Sequence, residues 1–156
     1  MRATDTAAEP LDVIAILYEL FGQGRLDETF DLMDPEVRLV EPGDPDVVPW
    51  AGEFHGHDGL RRFYDGLATG LSSISIDPET LRLAPIGDDR VLALGTERGT
   101  SARTGESYIT QSAWVWTVRD GRVAQLRAYH DTEAMTRALR PHGDGGGSDP
   151  LPVDEP

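Results

Sequence analysis

The chain contains no cysteine and no lysine; all 14 of its basic side chains are arginine. Without cysteine, neither a disulfide nor a thiolate metal site can form, and the redox compartment is left open. Without lysine, Schiff-base catalysis through a protein amine is excluded. The basic residues are outnumbered by 28 acidic ones, for a formal charge of −14. Nucleic acid and anionic membrane surfaces call for basic patches, so neither is an expected partner. No apolar run approaches the roughly eighteen residues of a membrane span, and no signal peptide is recognisable. A soluble, cytoplasmic protein is the expectation.

What is present is organised around Ser112–Asp131, SAWVWTVRDGRVAQLRAYHD. Asp120-Gly121 is a strong two-residue hairpin signal, because both positions tolerate φ > 0. Trp114, Trp116 and Val118 share one face by strict alternation, and Val123 continues it. Leu126, Ala128 and His130 then alternate one residue out of phase. One extra residue around Ala124–Gln125, a β-bulge, restores the register. The result is a long, bent hairpin with a Trp-rich face and His130 at its far end.

At 156 residues the chain reads as one folded domain. Residues 1–8 are a flexible N-terminus, 9–140 the domain, and 141–156 (PHGDGGGSDPLPVDEP) an acidic Gly/Pro tail too poor in apolar residues to fold. A helix starts at Glu9-Pro10, carries Val13, Ile14, Leu17, Tyr18 and Phe21, and stops at Gly22-Gln23-Gly24. Leu26–Met33 is a second short helix, broken before Pro35. Glu36–Glu41 alternates as a strand whose apolar face, Val37 and Leu39, finishes in Glu41. After the loop PGDPDVVPW comes a short extended piece, Gly52–His55. A helix capped by Asp58 follows, with Leu60, Phe63, Tyr64 and Leu67 as its stripe. Residues 72–86, 90–100 and 106–119 read as three strands, and Thr132–Leu139 as a terminal helix capped by Asp131. Helices segregate from an antiparallel meander, which is an α+β layout. Three helices on one face of a bent antiparallel sheet make a cone enclosing a hydrophobic pocket.

Three stretches carry a resemblance to a known family: GQGRLDETFDLMDPEVRLVEP, PWAGEFHGHDGLRRFYDGL and VWTVRDGRVAQLRAYHDTEAM. Over about residues 12–139 the chain resembles the SnoaL-like and ketosteroid-isomerase-like proteins of the nuclear transport factor 2 superfamily. The resemblance implies the cystatin-like cone and a homodimer, and the alternate hairpin face (Ala113, Val115, Thr117, Tyr129) is apolar enough for packing through the outer sheet face. The resemblance also implies a hydrophobic small-molecule ligand and no cofactor. Glu41-Pro42 stands where the isomerases carry their general base, with Glu for Asp, and Tyr18 lies within one residue of their oxyanion-donor tyrosine. Trp114 and Ala128 replace the His and Asp of SnoaL-type cyclases. Arg98 matches the arginine of epoxide-hydrolase-like members, but Thr100 and Ala128 replace their carboxylates.

Glu41, His130 and Tyr18 are therefore the catalytic candidates. A carboxylate entering an apolar cavity has its charged form disfavoured, which moves its pKa toward that of a base working near neutrality. His130 titrates close to working pH, and Tyr18 offers an oxyanion donor. Trp50, Phe54, Phe63, Arg98, Trp114, Trp116 and Ala128 are the candidate ligand contacts, with loop residue Trp50 read as a lid or subunit contact. His55-Gly56-His57 has metal-ligand spacing but reads as a turn, and no metal is expected. An isomerase or cyclase on a polyketide- or steroid-like molecule is the leading function. An epoxide hydrolase or dehydratase, a non-catalytic hydrophobic binder, and a protein-interaction module remain open.

Overall fold

Helix α1 (Pro10–Gly22) begins with proline in its first turn and buries Val13, Ile14, Leu17, Tyr18 and Leu20. It ends where Gly24 takes a positive φ of 70° and Arg25 N–H reaches back to the Leu20 carbonyl at 3.0 Å. The computed structural model describes residues 8–141. The expected flexible N-terminus (1–8) lies almost wholly, and the acidic tail all but its first residue, outside the described residues.

The second short helix is α2 (Leu26–Thr29), followed by one 3₁₀ turn, Phe30–Leu32. Strand β1 (Met33–Glu41) then runs into a loop that winds on Asp44, whose carbonyl accepts from Val47 and Val48 at 2.9 and 2.8 Å. Strand β2 (Gly52–His55) pairs back on β1, placing Gly52 opposite Glu41. Helix α3 (Gly56–Gly70) starts at Gly56, with His55 in the cap position and no side-chain cap. Asp58 is thus in the first turn rather than at the cap. The positive φ of 69° at Gly56 makes the turn into the helix instead.

The expected strand over 72–86 is two strands, β3 (Leu71–Ile76) and β4 (Arg82–Ile86), both paired with β5 (Arg90–Ser101). Asp77-Pro78 breaks the run, with the Asp77 carboxylate accepting from Glu79 N–H at 2.9 Å. Strands β6 (Ser107–Arg119) and β7 (Arg122–Tyr129) form the hairpin, turning at Asp120 and Gly121 with φ of 52° and 77°. Thr117 pairs with Gln125 and Val118 with Val123, so Ala124 is the extra residue of the bulge. Helix α4 (Thr132–Leu139) is capped by Asp131, whose carboxylate accepts from Ala134 N–H at 3.0 Å.

The sheet order is β2-β1-β7-β6-β5-β3, with β4 also on β5. It is a mixed sheet, not an antiparallel one, because β1 lies parallel to β7. Alternation in sequence specifies which face of a strand is buried but not the direction of its neighbour. Helices α1 and α3 lie against the sheet, and α4 packs on β5 and β6. The inner face of β6 and β7 is buried as expected, with Trp114, Trp116, Val118, Val123, Leu126 and Ala128 in one core with α1. Among the described residues, no helix is long and apolar enough to cross a membrane.

Candidate active site

Parallel pairing brings the end of β1 alongside the end of β7. Leu39 sits opposite Leu126 and Val40 opposite Arg127, so Glu41 arrives beside the residues leading to His130. The Glu41 carboxylate and His130 Nε2 are 3.3 Å apart, with side chains only 4 % and 2 % exposed. The other ring nitrogen, Nδ1, lies 2.7 Å from the Ser112 hydroxyl. That hydroxyl can donate to a neutral Nδ1 or accept from a protonated one, so His130 keeps its partner in both states.

Burial raises the Glu41 pKa above the ordinary carboxylate value, and its hydrogen bond from His130 only partly offsets this. Burial works against the His130 imidazolium, but the Glu41 hydrogen bond and the charges of Glu97 and Glu41 outweigh it. The net His130 shift is upward. The two groups therefore form a buried acid–base pair in which both proton affinities are raised.

Tyr18 stands against the same cluster. Its ring makes edge contacts with Trp114 and Trp116 at 5.7 and 5.9 Å, and Trp114 in turn touches the His130 ring at 5.8 Å. Trp116 Nε1–H donates to the Tyr18 oxygen at 3.0 Å. Among the described residues no acceptor takes the Tyr18 O–H proton, which remains available to a ligand oxygen. Burial, together with the nearby Glu41 and Glu97, raises its pKa well above the ordinary phenol value, so it stays a donor.

A second carboxylate, Glu97 on β5, belongs to the site and was not among the sequence candidates. It is 4 % exposed, and Tyr108 donates its hydroxyl to Glu97 Oε2 at 2.7 Å. The arrangement depends on Gly99: a Cβ there would lie 2.6 Å from the Tyr108 ring, which occupies that space. Burial raises the Glu97 pKa, against the opposing effects of His130 and Tyr108. The available signal was parity, since Val91, Ala93 and Glu97 alternate on one face of β5.

Two expected ligand contacts lie elsewhere. Arg98, next to Glu97, is on the opposite face and exposed. Trp50 is 1 % exposed in a second core with Tyr108, Leu71 and Met135, so it is neither a lid nor a subunit contact. Its loop docks closely on α3 because Gly66 and Gly70 lack side chains. A Cβ at Gly70 would lie 2.9 Å from the Trp50 ring, and one at Gly66 would lie 2.6 Å from the Pro49 carbonyl. Phe54 and Phe63 are half-buried, 5.8 Å apart, and pack on the main core. Trp114, Trp116 and Ala128 are on the inner face as expected. His57 bonds the Met33 carbonyl at 3.0 Å while His55 is exposed, so the two imidazoles serve different ends.

Of two surface grooves, the first lies apart from this cluster, and the second is lined by two of its members, Ser112 and His130. One, about 580 Å³, runs between α2 and α3 past Phe30, His57 and Tyr64. The other, about 500 Å³, lies where Leu94, Ala113 and Tyr129 meet on the outer sheet face. Neither is lined by Glu41, Tyr18, Trp114 or Trp116. Within the inner core, Tyr18 packs edge-on against both Trp114 and Trp116.

The chain is similar in structure to an NTF2-like protein of unknown function from Burkholderia pseudomallei (TM-score 0.76, 25% identity, 86% of this chain and 99% of that one). It is also similar to TerC, crystallised with polyporic acid (TM-score 0.74, 23% identity, 86% and 100% covered). A third similar structure is a candidate polyketide cyclase from Xanthomonas campestris (TM-score 0.69, 14% identity, 82% and 94% covered). No match is found among the curated proteins. The SnoaL-like domain model matches residues 14–126, which span α1 through most of the terminal hairpin and include Tyr18, Glu41, Glu97 and Ser112. With that match and this cone, the chain belongs to the SnoaL-like family of the nuclear transport factor 2 superfamily.

Proposed function

We propose that the chain is a cytoplasmic, cofactor-independent acid–base enzyme of isomerase or cyclase type, acting on a hydrophobic carbonyl compound inside the cone. The observation that carries this reading is the buried Glu41–His130 contact beside a Tyr18 hydroxyl whose proton has no protein acceptor. Glu41 takes a proton from carbon next to the ligand carbonyl. Tyr18 donates to the oxygen on which negative charge develops, an effect that in a dry site is worth a few kcal/mol. His130 holds the Glu41 proton affinity in the working range and relays the proton. The Trp114, Trp116 and Phe63 rings favour a flat, polycyclic ligand of polyketide or steroid type.

The packed interior favours a second reading, a protein-interaction module that needs no pocket. Energetics weigh against it, as against a purely apolar binder. Burying a carboxylate costs several kcal/mol even after relaxation, and this interior buries two, Glu41 and Glu97. A module without chemistry has no use for that cost. The exposed position of Arg98 removes the support for an epoxide-hydrolase-like mechanism. We assign a second copy of the chain to the outer sheet face, where Leu94, Ile109 and Tyr129 are 46%, 51% and 51% exposed.

The test is deuterium exchange at the methyl group of 2-acetonaphthone in D₂O, followed by proton NMR. The wild-type protein should accelerate exchange over buffer, and Glu41→Gln should return it to the buffer rate. No acceleration by the wild type overturns the reading.

A further inference from the structure

His130 follows the last residue of β7, and the hydroxyls behind its ring come from β6. Ser112 and Thr110 alternate there on the buried face, 4 % and 1 % exposed. Their hydrogen bonds run in one direction. Asp131 N–H, which can only donate, gives its proton to Thr110 Oγ1 at 2.7 Å. The Thr110 hydroxyl proton goes to the Gln111 carbonyl at 3.3 Å. Ser112 donates to Thr110 Oγ1 at 3.5 Å. With its proton turned toward Thr110, Ser112 meets His130 Nδ1 at 2.7 Å as an acceptor, so Nδ1 carries the hydrogen. Taken alone, the Ser112 hydroxyl suits either state of the ring; Thr110 selects one.

A ring with its hydrogen on Nδ1 presents Nε2 to the Glu41 carboxyl, 3.3 Å away, as a proton acceptor. From this arrangement we infer that Ser112 and Thr110 are positioning residues for the acid–base pair. They hold the His130 hydrogen on Nδ1 and so make Nε2 the atom that takes the Glu41 proton. This rests on the acid–base reading above and adds how its base is set.

In the resting form Glu41 is a neutral acid donating to Nε2. Its O–H bond breaks, Nε2 bonds the proton, and a carboxylate and an imidazolium result. The net charge of the pair does not change. The carboxylate is the form that takes a proton from carbon. The Nδ1–H bond to Ser112 is the same before and after, so no second partner has to turn during the transfer. Without the Thr110 hydroxyl this polarity reverses. The buried Ser112 proton would then have Nδ1 as its acceptor among the described residues, and leaving it unmet is costly. The ring hydrogen would move to Nε2, where it blocks the transfer.

The test is long-range ¹H–¹⁵N NMR at pH 7 of the full chain labelled at histidine, with His130 assigned by His130→Gln. In the wild type Nδ1 should read as protonated. Thr110→Val should leave Nδ1 bare and put the hydrogen on Nε2. Ser112→Ala, which deprives Nδ1–H of its acceptor, should do the same. Thr110→Ser keeps the hydroxyl and should restore the wild-type pattern. Exchange at the 2-acetonaphthone methyl group should fall at least about tenfold in Thr110→Val, part of the hundredfold or more that acid–base groups carry. It should recover in Thr110→Ser. A bare Nδ1 in the wild type overturns the inference, and so does the wild-type nitrogen pattern in both Thr110→Val and Ser112→Ala. A switched ring with undiminished exchange also overturns it and leaves the acid–base reading standing. No exchange by the wild type overturns that reading, and the positioning role falls with it; the nitrogen spectra keep the two failures apart. Circular dichroism of each variant guards against simple unfolding.

Discussion

Glu41 and His130 are 89 positions apart in the chain, yet their side chains meet at 3.3 Å because β1 runs parallel to β7. Each residue sits at or just past the C-terminal end of its strand. Parallel pairing puts those two ends side by side, where an antiparallel pair would put them at opposite edges of the sheet. The acid–base pair is thus a product of topology. Its consequences are open to measurement.

Removing Glu41 should change His130 directly. In Glu41→Gln the imidazole loses the hydrogen bond and charge that raise its pKa against burial. Imidazole NMR should therefore show His130 titrating lower in the variant than in the wild type. Identical titrations would mean the two side chains do not meet in solution.

Stability should fall as pH rises, with a slope that depends on this cluster. Glu41, Glu97 and His130 all have raised pKa values in the fold. The native state therefore binds more protons than the unfolded chain wherever these groups titrate. The carboxyl contributions are fully present below about pH 4.3, the unfolded glutamate value, and are lost as pH rises through their folded pKa. The His130 contribution is present below about 6.5 and is lost through its own folded pKa. Urea melts from pH 5 to 9 should show this decline, and a Glu41→Gln, Glu97→Gln double variant should flatten it. An unchanged slope would contradict the burial of these charges.

Trp50 and Arg98 should separate cleanly by stability. Trp50→Ala opens a cavity in the second core and should cost about 3–5 kcal/mol. Arg98→Ala, on the exposed face, should stay within about 0.5 kcal/mol. Denaturant midpoints decide, and a mild Trp50→Ala would restore the lid reading.

Gly99→Ala should displace Tyr108, since the new Cβ would fall 2.6 Å from its ring. Overpacking of this kind costs about 1–3 kcal/mol. The displaced hydroxyl should also release Glu97, visible as a shift in the Glu97 carboxyl resonance. A resonance that does not move would show that Tyr108 does not hold Glu97.

Much of this was legible in the sequence. The hairpin alternation placed Trp114, Trp116 and His130 on one face, and the phase slip located the bulge that the structure centres on Ala124. Without that residue, Leu126, Ala128 and His130 would turn outward. The strand ending in Glu41 was equally readable. Other features were not, for stated physical reasons. On β5 both faces look apolar, Val91 and Ala93 on one side and Leu92 and Leu94 on the other, and glycines at 95 and 99 blur the parity. Arg98 was thus named as a candidate and Glu97 was not, and only the strand pairing separates the two faces. Trp50 sits among prolines, and its burial depends on the bare backbone at Gly66 and Gly70 across the fold. The direction of β1 against β7 is a tertiary fact that local periodicity does not carry.

The most direct test of the central claim is the carboxyl pKa of Glu41, from ¹³C NMR of protein labelled at glutamate and assigned with Glu41→Gln. The account predicts a value raised well above about 4.3, the model-peptide figure, and a further change when an aromatic ketone binds. An ordinary value, unmoved by ligand, would place Glu41 in water and contradict a buried base.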